Sequence, residues 1–185
     1  MRTAESLTDP SRDAVYDAIG MVPTRSSIDY HWYLHSLNIQ SFLGGKARGV
    51  REMLEANPPA VFIPSYRTDW LRKEDWEFIR ARYVPLADDF WVLGQLLPAG
   101  GGGFSVSHPG RYLLLQLKNG QVVPPMPGTL DGSPDAPAPV ALTVGPHQAS
   151  CPGDRQLGLL WIGPRLEQMP LLGPGDHQRL FVNWY

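Results

Sequence analysis

Glycine and proline punctuate this chain of 185 residues more densely than is usual for a helical protein, with 19 of each. Both residues disfavour the interior of helices and strands but favour turns, sheet edges and bulges. From residue 89 they separate short β-prone runs at intervals close to the roughly 8 to 12 residues of a sandwich. The runs include FWVLGQLLP, RYLLLQLKNG, PVALTV, LGLLWIG and RLFVNWY. Residues 89–185 are therefore predicted to form an antiparallel β-sandwich.

The first half of the chain, residues 1–88, has helical as well as strand-like patterns. The pattern predicts a short strand at Val15 and Tyr16, a helix around residues 30–42 and a buried strand at AVFI, residues 60–63. Between the last two, a helix carries Val50, Met53 and Leu54 on one face. The clearest helix is DWLRKEDWEFIRARYVP, whose apolar stripe consists of Trp76, Ile79 and Tyr83. This order predicts a small α/β unit packed on the sandwich, and so an α+β fold.

Charge and cysteine content exclude several classes of protein. The net charge of −2 gives no electrostatic footprint for nucleic acid, so no nucleic-acid partner is predicted. Cys151 is the only cysteine, which excludes an intrachain disulfide and a thiolate-rich zinc site. No apolar run approaches the roughly 18 to 20 residues of a transmembrane helix, and the first residues lack the apolar core of a signal peptide.

Two glycine-rich stretches resemble phosphate-binding loops only superficially. AGGGGF, residues 99–104, is followed by a strand rather than by the helix that such a loop needs, which favours a hairpin. LGGKA, residues 43–47, has Gln40 where a Walker loop has its first glycine and Ala47 where it has Ser or Thr. No cofactor is predicted.

Ionisable residues form no obvious catalytic or metal-binding set. His31 and His35 have the i, i+4 spacing of a metal pair, but no third ligand or neighbouring Glu accompanies them, which favours structural histidines. His108, His147 and His177 lie beside Gly or Pro and are predicted in loops or turns. Asp88 and Asp89 are adjacent, so on an extended chain they point to opposite faces. Neither a metal site nor a catalytic residue is predicted.

The stretch FIPSYRTDW, residues 62–70, is the strongest candidate for a ligand site. It leaves the carboxyl end of a predicted strand, where ligands of α/β units bind. Arg67 is suited to a carboxylate or phosphate, and Tyr66 and Trp70 to stacking on a sugar; Asp69 completes the predicted contacts. The alternative is structural: Thr68 or Asp69 caps the next helix, and Arg67 pairs with Asp88 or Asp89.

Several phrases in combination resemble a known family. They are VYDAIGMVPTR, FIPSYRTDWL, RYVPLADDFWVLG, HPGRY, GPH, LLWIGP and the terminal LFVNWY. Together they are similar to the C-terminal soluble region of bacterial polytopic membrane glycosyltransferases. That group is related to dolichyl-phosphate-mannose protein mannosyltransferases and to lipid A aminoarabinose transferases.

The resemblance implies an extracytoplasmic, periplasmic domain that follows a bundle of membrane helices, with Met1 not the native start. The parent enzyme would transfer a sugar from a polyprenyl-phosphate donor, and its catalytic acidic residues would lie in an extracytoplasmic loop between early membrane helices, a loop that nothing in this chain matches. The expected role is a non-catalytic accessory domain that helps to position the donor or a glycan acceptor. Its expected partners are the transmembrane part of the parent chain and a glycan or polyprenyl-phosphate sugar.

Two other functions remain open on the sequence. The β half, with its Pro-Gly-x-Tyr strand, Asp-Gly turn and Gly-x-His turn, also resembles small sandwich modules that bind carbohydrate or dock on a neighbour. A free-standing carbohydrate-binding or protein-interaction module is therefore the first alternative. The second is a small enzyme with its site in the α/β half.

Overall fold

The computed structural model of the protein describes residues 2–28, 36–87, 89–118, 121–123, 128–134 and 139–163. The chain divides into two compact units, and the division falls between Leu93 and Gly94. Mixed sheets accompanied by few helices place the protein in the α+β class, as the sequence predicts.

The first unit combines a small mixed sheet with short helices. Strand β1 runs parallel to β2, and the first half of β4 lies antiparallel between β2 and β3. Because β1 and β2 are parallel, the segments that follow Asp17 and Ile63 leave the sheet at the same edge. The described elements of this unit, in chain order, are α1 (Arg2–Leu7), β1 (Val15–Asp17), α2 (Ser36–Leu43), α3 (Val50–Ala56), β2 (Val61–Ile63), α4 (Lys73–Arg80), β3 (Tyr83–Ala87) and the start of β4 (Phe90–Ala99).

Most of the predicted elements of this half are confirmed. The strand at Val15 is β1, the AVFI strand is β2, and α3 buries Val50, Met53 and Leu54 as expected. Helix α2 covers the second part of the helix predicted around residues 30–42. The pair His31 and His35 lies outside the described residues.

The prediction for the clearest helix is wrong at its carboxyl end. Helix α4 ends at Arg80, and Tyr83 begins strand β3 instead of continuing the helical stripe. The physical reason is Pro85, which disfavours a helical conformation at Val84 and cannot supply a helical N–H. Helix α1 was not predicted, since its six residues are too few to show a helical period.

Phe62 of β2 is the centre of an aromatic core in the first unit. Tyr16 stacks on its ring at a centroid distance of 5.0 Å, and the ring of Trp76 meets it edge-on at 6.1 Å. Tyr83 and Trp91 lie at 5.8 and 6.3 Å from the same ring. Aromatic pairs at these distances stabilise beyond their buried area, so this cluster fixes β2 and the segment that follows it.

The second unit contains two antiparallel sheets, neither of them closed. In one, β12 lies between the second half of β4 and β6, and both β7 and β10 pair with β6. In the other, the order is β5-β11-β8-β9. The remaining strands are β5 (Gly101–Val106), β6 (Gly110–Lys118), β7 (Gln121–Val123), β8 (Thr129–Leu130), β9 (Ser133–Pro134), β10 (Val140–Leu142), β11 (Gly145–Ser150) and β12 (Gln156–Trp161).

Two predictions for this half need correction. AGGGGF is not a hairpin: Gly100 is a turn residue, and the next glycines belong to β5, which lies in a different sheet from β4. A Cβ atom at Gly101 would collide with the backbone of Ala149, so glycine at this position allows β5 and β11 to lie close together. His147 lies on strand β11 rather than in a turn.

Other predictions for the second half are met or fall outside the described residues. The short strand expected at GTLDG is β8, and Asp131-Gly132 forms the turn to β9. His108 lies in a bend, as predicted. His177 and the run RLFVNWY lie outside the described part of the chain.

Candidate functional site

The stretch that follows β2 turns immediately after the strand. Residues Tyr66–Thr68 form one turn of 3₁₀ helix, closed by hydrogen bonds between Ser65 and Thr68. The Ser65 N–H donates to Thr68 Oγ1 at 3.1 Å, and that hydroxyl donates to the Ser65 carbonyl at 2.7 Å. Both residues are fully buried. These reciprocal hydrogen bonds form a capping box, which fixes the direction in which the next side chains leave the sheet.

Arg67 and Tyr66 contact each other within this turn. Arg67 Nε donates to the Tyr66 hydroxyl at 2.9 Å, and the guanidinium carbon lies 4.8 Å from the centre of the Tyr66 ring. Both side chains are half-buried. Asp88, one of the two partners that the structural alternative gives Arg67, lies outside the described residues.

Trp70 lies against the end of helix α2. Its ring stacks on Phe42 at a centroid distance of 5.8 Å and an interplanar angle of 9°. Its Nε1 atom is buried and has no hydrogen-bond partner in the part of the chain that the structure describes. Buried polar atoms are rarely left unpaired, and among the described residues Tyr16, Trp91 and Trp161 each have such an atom as well.

Helix α2 stops beside Trp70 through a Schellman motif. The Lys46 N–H donates to the Ser41 carbonyl at 2.8 Å and the Gly45 N–H to the Phe42 carbonyl at 3.1 Å. Gly45 adopts φ +67°, the left-handed conformation that this motif requires. The chain therefore reverses at residues 44–49 and leads into α3, and the reversed segment stands opposite Trp70.

An open cavity of about 490 Å³ lies between this segment and the start of α4. Its wall contains two aromatic rings, three basic side chains and two carboxylates. We call it the Trp70 cavity, and it is lined by Phe42, Gly45, Lys46, Ala47, Arg48, Gly49, Val50, Glu52, Trp70, Arg72 and Asp75. Lys46, Arg48 and Arg72 are exposed, so the cavity that Trp70 lines also has three cationic side chains at the protein surface.

The structure brings only part of the predicted site to this cavity. Of the four residues predicted to contact a ligand, Trp70 lines it, whereas Tyr66, Arg67 and Asp69 are not among its lining residues. The sequence prediction did not include the basic residues of the α2–α3 segment. The signal was present in LGGKARG, where two basic residues lie among three glycines.

The structural alternative for this stretch is wrong about the helix cap. Thr68 closes the 3₁₀ turn and Asp69 follows it, whereas α4 is capped by Asp75 from its own first turn. The Arg72 N–H donates to Asp75 Oδ2 at 3.1 Å. Asp75 thus has a structural hydrogen bond although it lines the cavity.

A second polar cluster lies in the second unit, where Asp131 and His147 meet. His147 Nδ1 lies 2.7 Å from Asp131 Oδ2, and the Gln148 N–H donates to Asp131 Oδ1 at 2.9 Å. These hydrogen bonds lower the pKa of the Asp131 carboxyl, and the hydrogen bond to Asp131 is the main cause that raises the pKa of His147. The Asp-Gly turn at Asp131 and the Gly-x-His turn at His147 were both recognised in the sequence, but the contact between them was not predicted.

Within the described residues, no group of three His, Cys, Asp or Glu side chains is arranged to hold a metal ion. The helices there are also too short or too polar to cross a membrane.

Comparison with family models, with curated proteins and with solved structures gave no match to this chain.

Proposed function

We propose that this chain is an extracytoplasmic accessory region of a membrane glycosyltransferase, and that its Trp70 cavity holds the sugar-phosphate part of a lipid-linked donor. The resemblance described above motivates the parent enzyme, its transmembrane partner and the periplasmic location. The observation that carries the proposal is the position of Trp70, whose indole lies in the wall of a cavity that Lys46, Arg48 and Arg72 also line.

The cavity suits this class of ligand in size and chemistry. Its volume lies within the roughly 300 to 1,000 Å³ of small-molecule sites. An indole offers an apolar face to the C–H groups of a sugar, and ammonium and guanidinium groups bind phosphate oxygens. Glu52 and Asp75 add acceptors for sugar hydroxyl groups. The role is non-catalytic in this proposal, because the resemblance locates the catalytic acids elsewhere in the parent.

We further propose that the two sheets of the second unit pack face to face as a sandwich. Consecutive strands lie in different sheets at six points along the chain: β4/β5, β5/β6, β7/β8, β9/β10, β10/β11 and β11/β12. Glycines with positive φ lie at several of these changes, among them Gly100, Gly145 and Gly153. Strands that switch sheets through such bends are typical of orthogonally packed sandwiches.

Binding is tested by calorimetric titration with a short-chain polyprenyl-phosphate sugar. We expect Trp70→Ala and the double variant Lys46→Ala/Arg72→Ala each to weaken binding by about tenfold or more, since each removes about 1.4 kcal/mol or more of contact energy. Arg80→Ala is the matched control, because Arg80 is also exposed and lies 5.6 Å from a tryptophan ring but does not line the cavity.

The same titration separates the cavity from the predicted loop. Arg67→Ala should bind as the wild type does if the cavity alone is the site, whereas a tenfold loss would place the predicted Arg67 contact on the ligand. Wild-type affinity in both the Trp70 and the Lys46/Arg72 variants would refute the cavity as the site.

The alternatives have their own outcomes. Equal affinity for the free sugar and the lipid-phosphate sugar would favour a carbohydrate-binding module, and turnover by the purified chain would favour an enzyme. The coding sequence upstream of Met1 tests the parent: a reading frame that begins there, with no hydrophobic helices upstream, would refute the membrane enzyme.

A further inference from the structure

The Asp131–His147 pair has a geometry that depends on protonation. Both nitrogens of the His147 ring face oxygen acceptors: Nδ1 lies 2.7 Å from Asp131 Oδ2, and Nε2 lies 2.9 Å from the carbonyl oxygen of Thr143. The side chain is only 10% exposed, and its ring stacks on Phe104 at 5.6 Å. Burial and stacking therefore restrict rotation of the ring, so its nitrogens do not readily exchange these oxygen partners for water.

Counting protons shows what this arrangement requires. A neutral imidazole carries one N–H donor and one bare nitrogen, whereas an imidazolium ion carries two donors. Only the imidazolium ion can donate to the carboxylate and to the carbonyl at the same time. When the ring loses a proton, one of the two short contacts becomes a contact between two acceptors.

We propose that Asp131 and His147 form a pH-dependent clamp, which fixes the β8–β9 hairpin to strand β11 while His147 is protonated and loosens it when His147 is neutral. This inference does not depend on the proposed function, because the clamp and the Trp70 cavity belong to different units of the chain.

The clamp joins three segments. Asp131 lies at the tip of the hairpin, His147 on β11, and Thr143 on the connection between β10 and β11. The tip also has backbone contacts, because the Asp131 N–H donates to the Gln148 carbonyl at 2.8 Å. Asp131 has φ +49°, the left-handed conformation that Asp tolerates in an Asp-Gly turn. Loss of the His147 contact therefore removes a side-chain contact of this turn and leaves its backbone hydrogen bond to β11.

Asp131 is the ionisable group that faces His147. The neighbouring strand β5 has the sequence GGGFSV, and β8, β9 and β10 contribute only Thr, Leu, Ser, Pro, Val and Ala. Within the described residues, these strands therefore carry no ionisable side chain, and the charge that faces the imidazole is that of Asp131 in the turn between β8 and β9.

The directions of the two pKa shifts define the pH range of the clamp. The pKa of His147 is raised above its ordinary value of 6.5, so its contribution is complete below about pH 6.5 and is lost as pH rises through the folded-state pKa. The pKa of Asp131 is lowered from 3.8, so its contribution is complete above about pH 3.8 and is lost only in stronger acid. The clamp is closed between these two limits.

NMR spectroscopy of the full chain tests the proposal. The His147 ring signal should titrate with a midpoint above 6.5 in the wild type, and Asp131→Asn should lower that midpoint. Asn is the suitable substitution because it tolerates the left-handed conformation and can still accept from the Gln148 N–H.

Hydrogen exchange provides the structural readout. After correction for the intrinsic pH dependence of exchange, protection of the Asp131 and Gln148 amides should fall about tenfold or more as pH rises through the His147 midpoint. His147→Gln should remove this pH dependence, whereas His108→Gln should leave it unchanged. His108 is a matched control because it lies in the same unit and contacts an aromatic ring, Trp161, at 5.6 Å.

Two results would overturn the clamp. One is a wild-type midpoint at or below 6.5, or a midpoint unchanged by Asp131→Asn. The other is amide protection in the hairpin that does not change through the midpoint. If a variant fails to fold, the His147 midpoint and the pH dependence of amide protection in the wild type are sufficient to test the clamp.

Discussion

At the scale of single residues, the contact between Gly110 and Trp161 shows how closely the second unit is packed. Trp161 is fully buried, and its Nε1 atom has no hydrogen-bond partner within the described residues. A Cβ atom on Gly110 would lie 2.5 Å from that nitrogen. The indole is enclosed, so it cannot move aside without disturbing its neighbours. Glycine at position 110 is therefore a packing requirement.

We expect Gly110→Ala to destabilise the protein by about 1 to 3 kcal/mol, the usual cost of overpacking a rigid core. Urea unfolding followed by tryptophan fluorescence measures this change. Gly49→Ala is the matched control: nothing lies within 4 Å of its Cβ position and its φ is −67°. Gly49 is the N-cap of α3, where glycine is preferred over alanine, so the effect of this substitution should stay below about 1 kcal/mol. Equal stability of the two variants would contradict the role given to Gly110.

Residue-scale prediction from the sequence succeeds where the signal is local. The Asp-Gly turn at Asp131 was predictable, because these residues favour positive φ. Its contact with His147 was not, since it joins positions 16 residues apart and depends on strand pairing. Trp70 was predicted from its residue type, but two of the three basic residues of its cavity, Lys46 and Arg48, come from a segment more than 20 positions earlier.

At the scale of elements, the 3₁₀ turn after β2 depends on one threonine. Thr68 Oγ1 accepts from the Ser65 N–H and donates to the Ser65 carbonyl, and it is fully buried. Thr68→Val keeps the shape but removes both hydrogen bonds. Because a buried unpaired polar group costs about 1 to 3 kcal/mol, we expect a loss of stability in that range.

Urea unfolding also measures this loss. Thr129→Val is the control, because the same hydroxyl is removed at an exposed position where it contacts the Ser150 hydroxyl at 2.8 Å. Its effect should be about 0.5 kcal/mol or less. If the Thr68 variant is as stable as the Thr129 variant, the capping-box hydrogen bonds between Ser65 and Thr68 do not stabilise the 3₁₀ turn.

Elements were predictable where the apolar period was clear and interrupted by strong breakers. Helix α3 ends before Pro58-Pro59, and all three predicted face residues are buried. The spacing of Tyr83 from Ile79 fits a helix equally well, and only Pro85 distinguishes the alternatives. Tyr83 is nevertheless part of the core, because it packs on Phe62 from strand β3.

At the scale of the whole molecule, strand β4 contributes to both units. Its residues 90–93 pair with β2 and β3, and residues 94–99 pair with β12. The sequence FWVLGQLLP identifies a strand but not which strands pair with each part of it. The predicted boundary at residue 88 separates β4 from β2 and β3.

We therefore expect a fragment of residues 1–88 to be unfolded. It lacks Phe90, Val92 and Leu93, three buried side chains of the first unit. At about 1.5 to 3 kcal/mol each, the loss of the three removes roughly 4.5 to 9 kcal/mol, comparable to the total stability of a typical domain. It also leaves β2 and β3 without the strand between them. Far-UV circular dichroism and proton NMR dispersion measure folding, with the full chain as reference.

A fragment of residues 1–99 is the matched control, since it adds only Asp89 and the whole of β4. We expect it to regain native-like chemical shift dispersion and a cooperative thermal transition, because β4 again lies between β2 and β3. If the fragment of residues 1–88 instead unfolds cooperatively with a native-like spectrum, the first unit does not need β4. The boundary predicted from the sequence would then be the physical one, and the pairing of residues 90–93 would be dispensable for that unit.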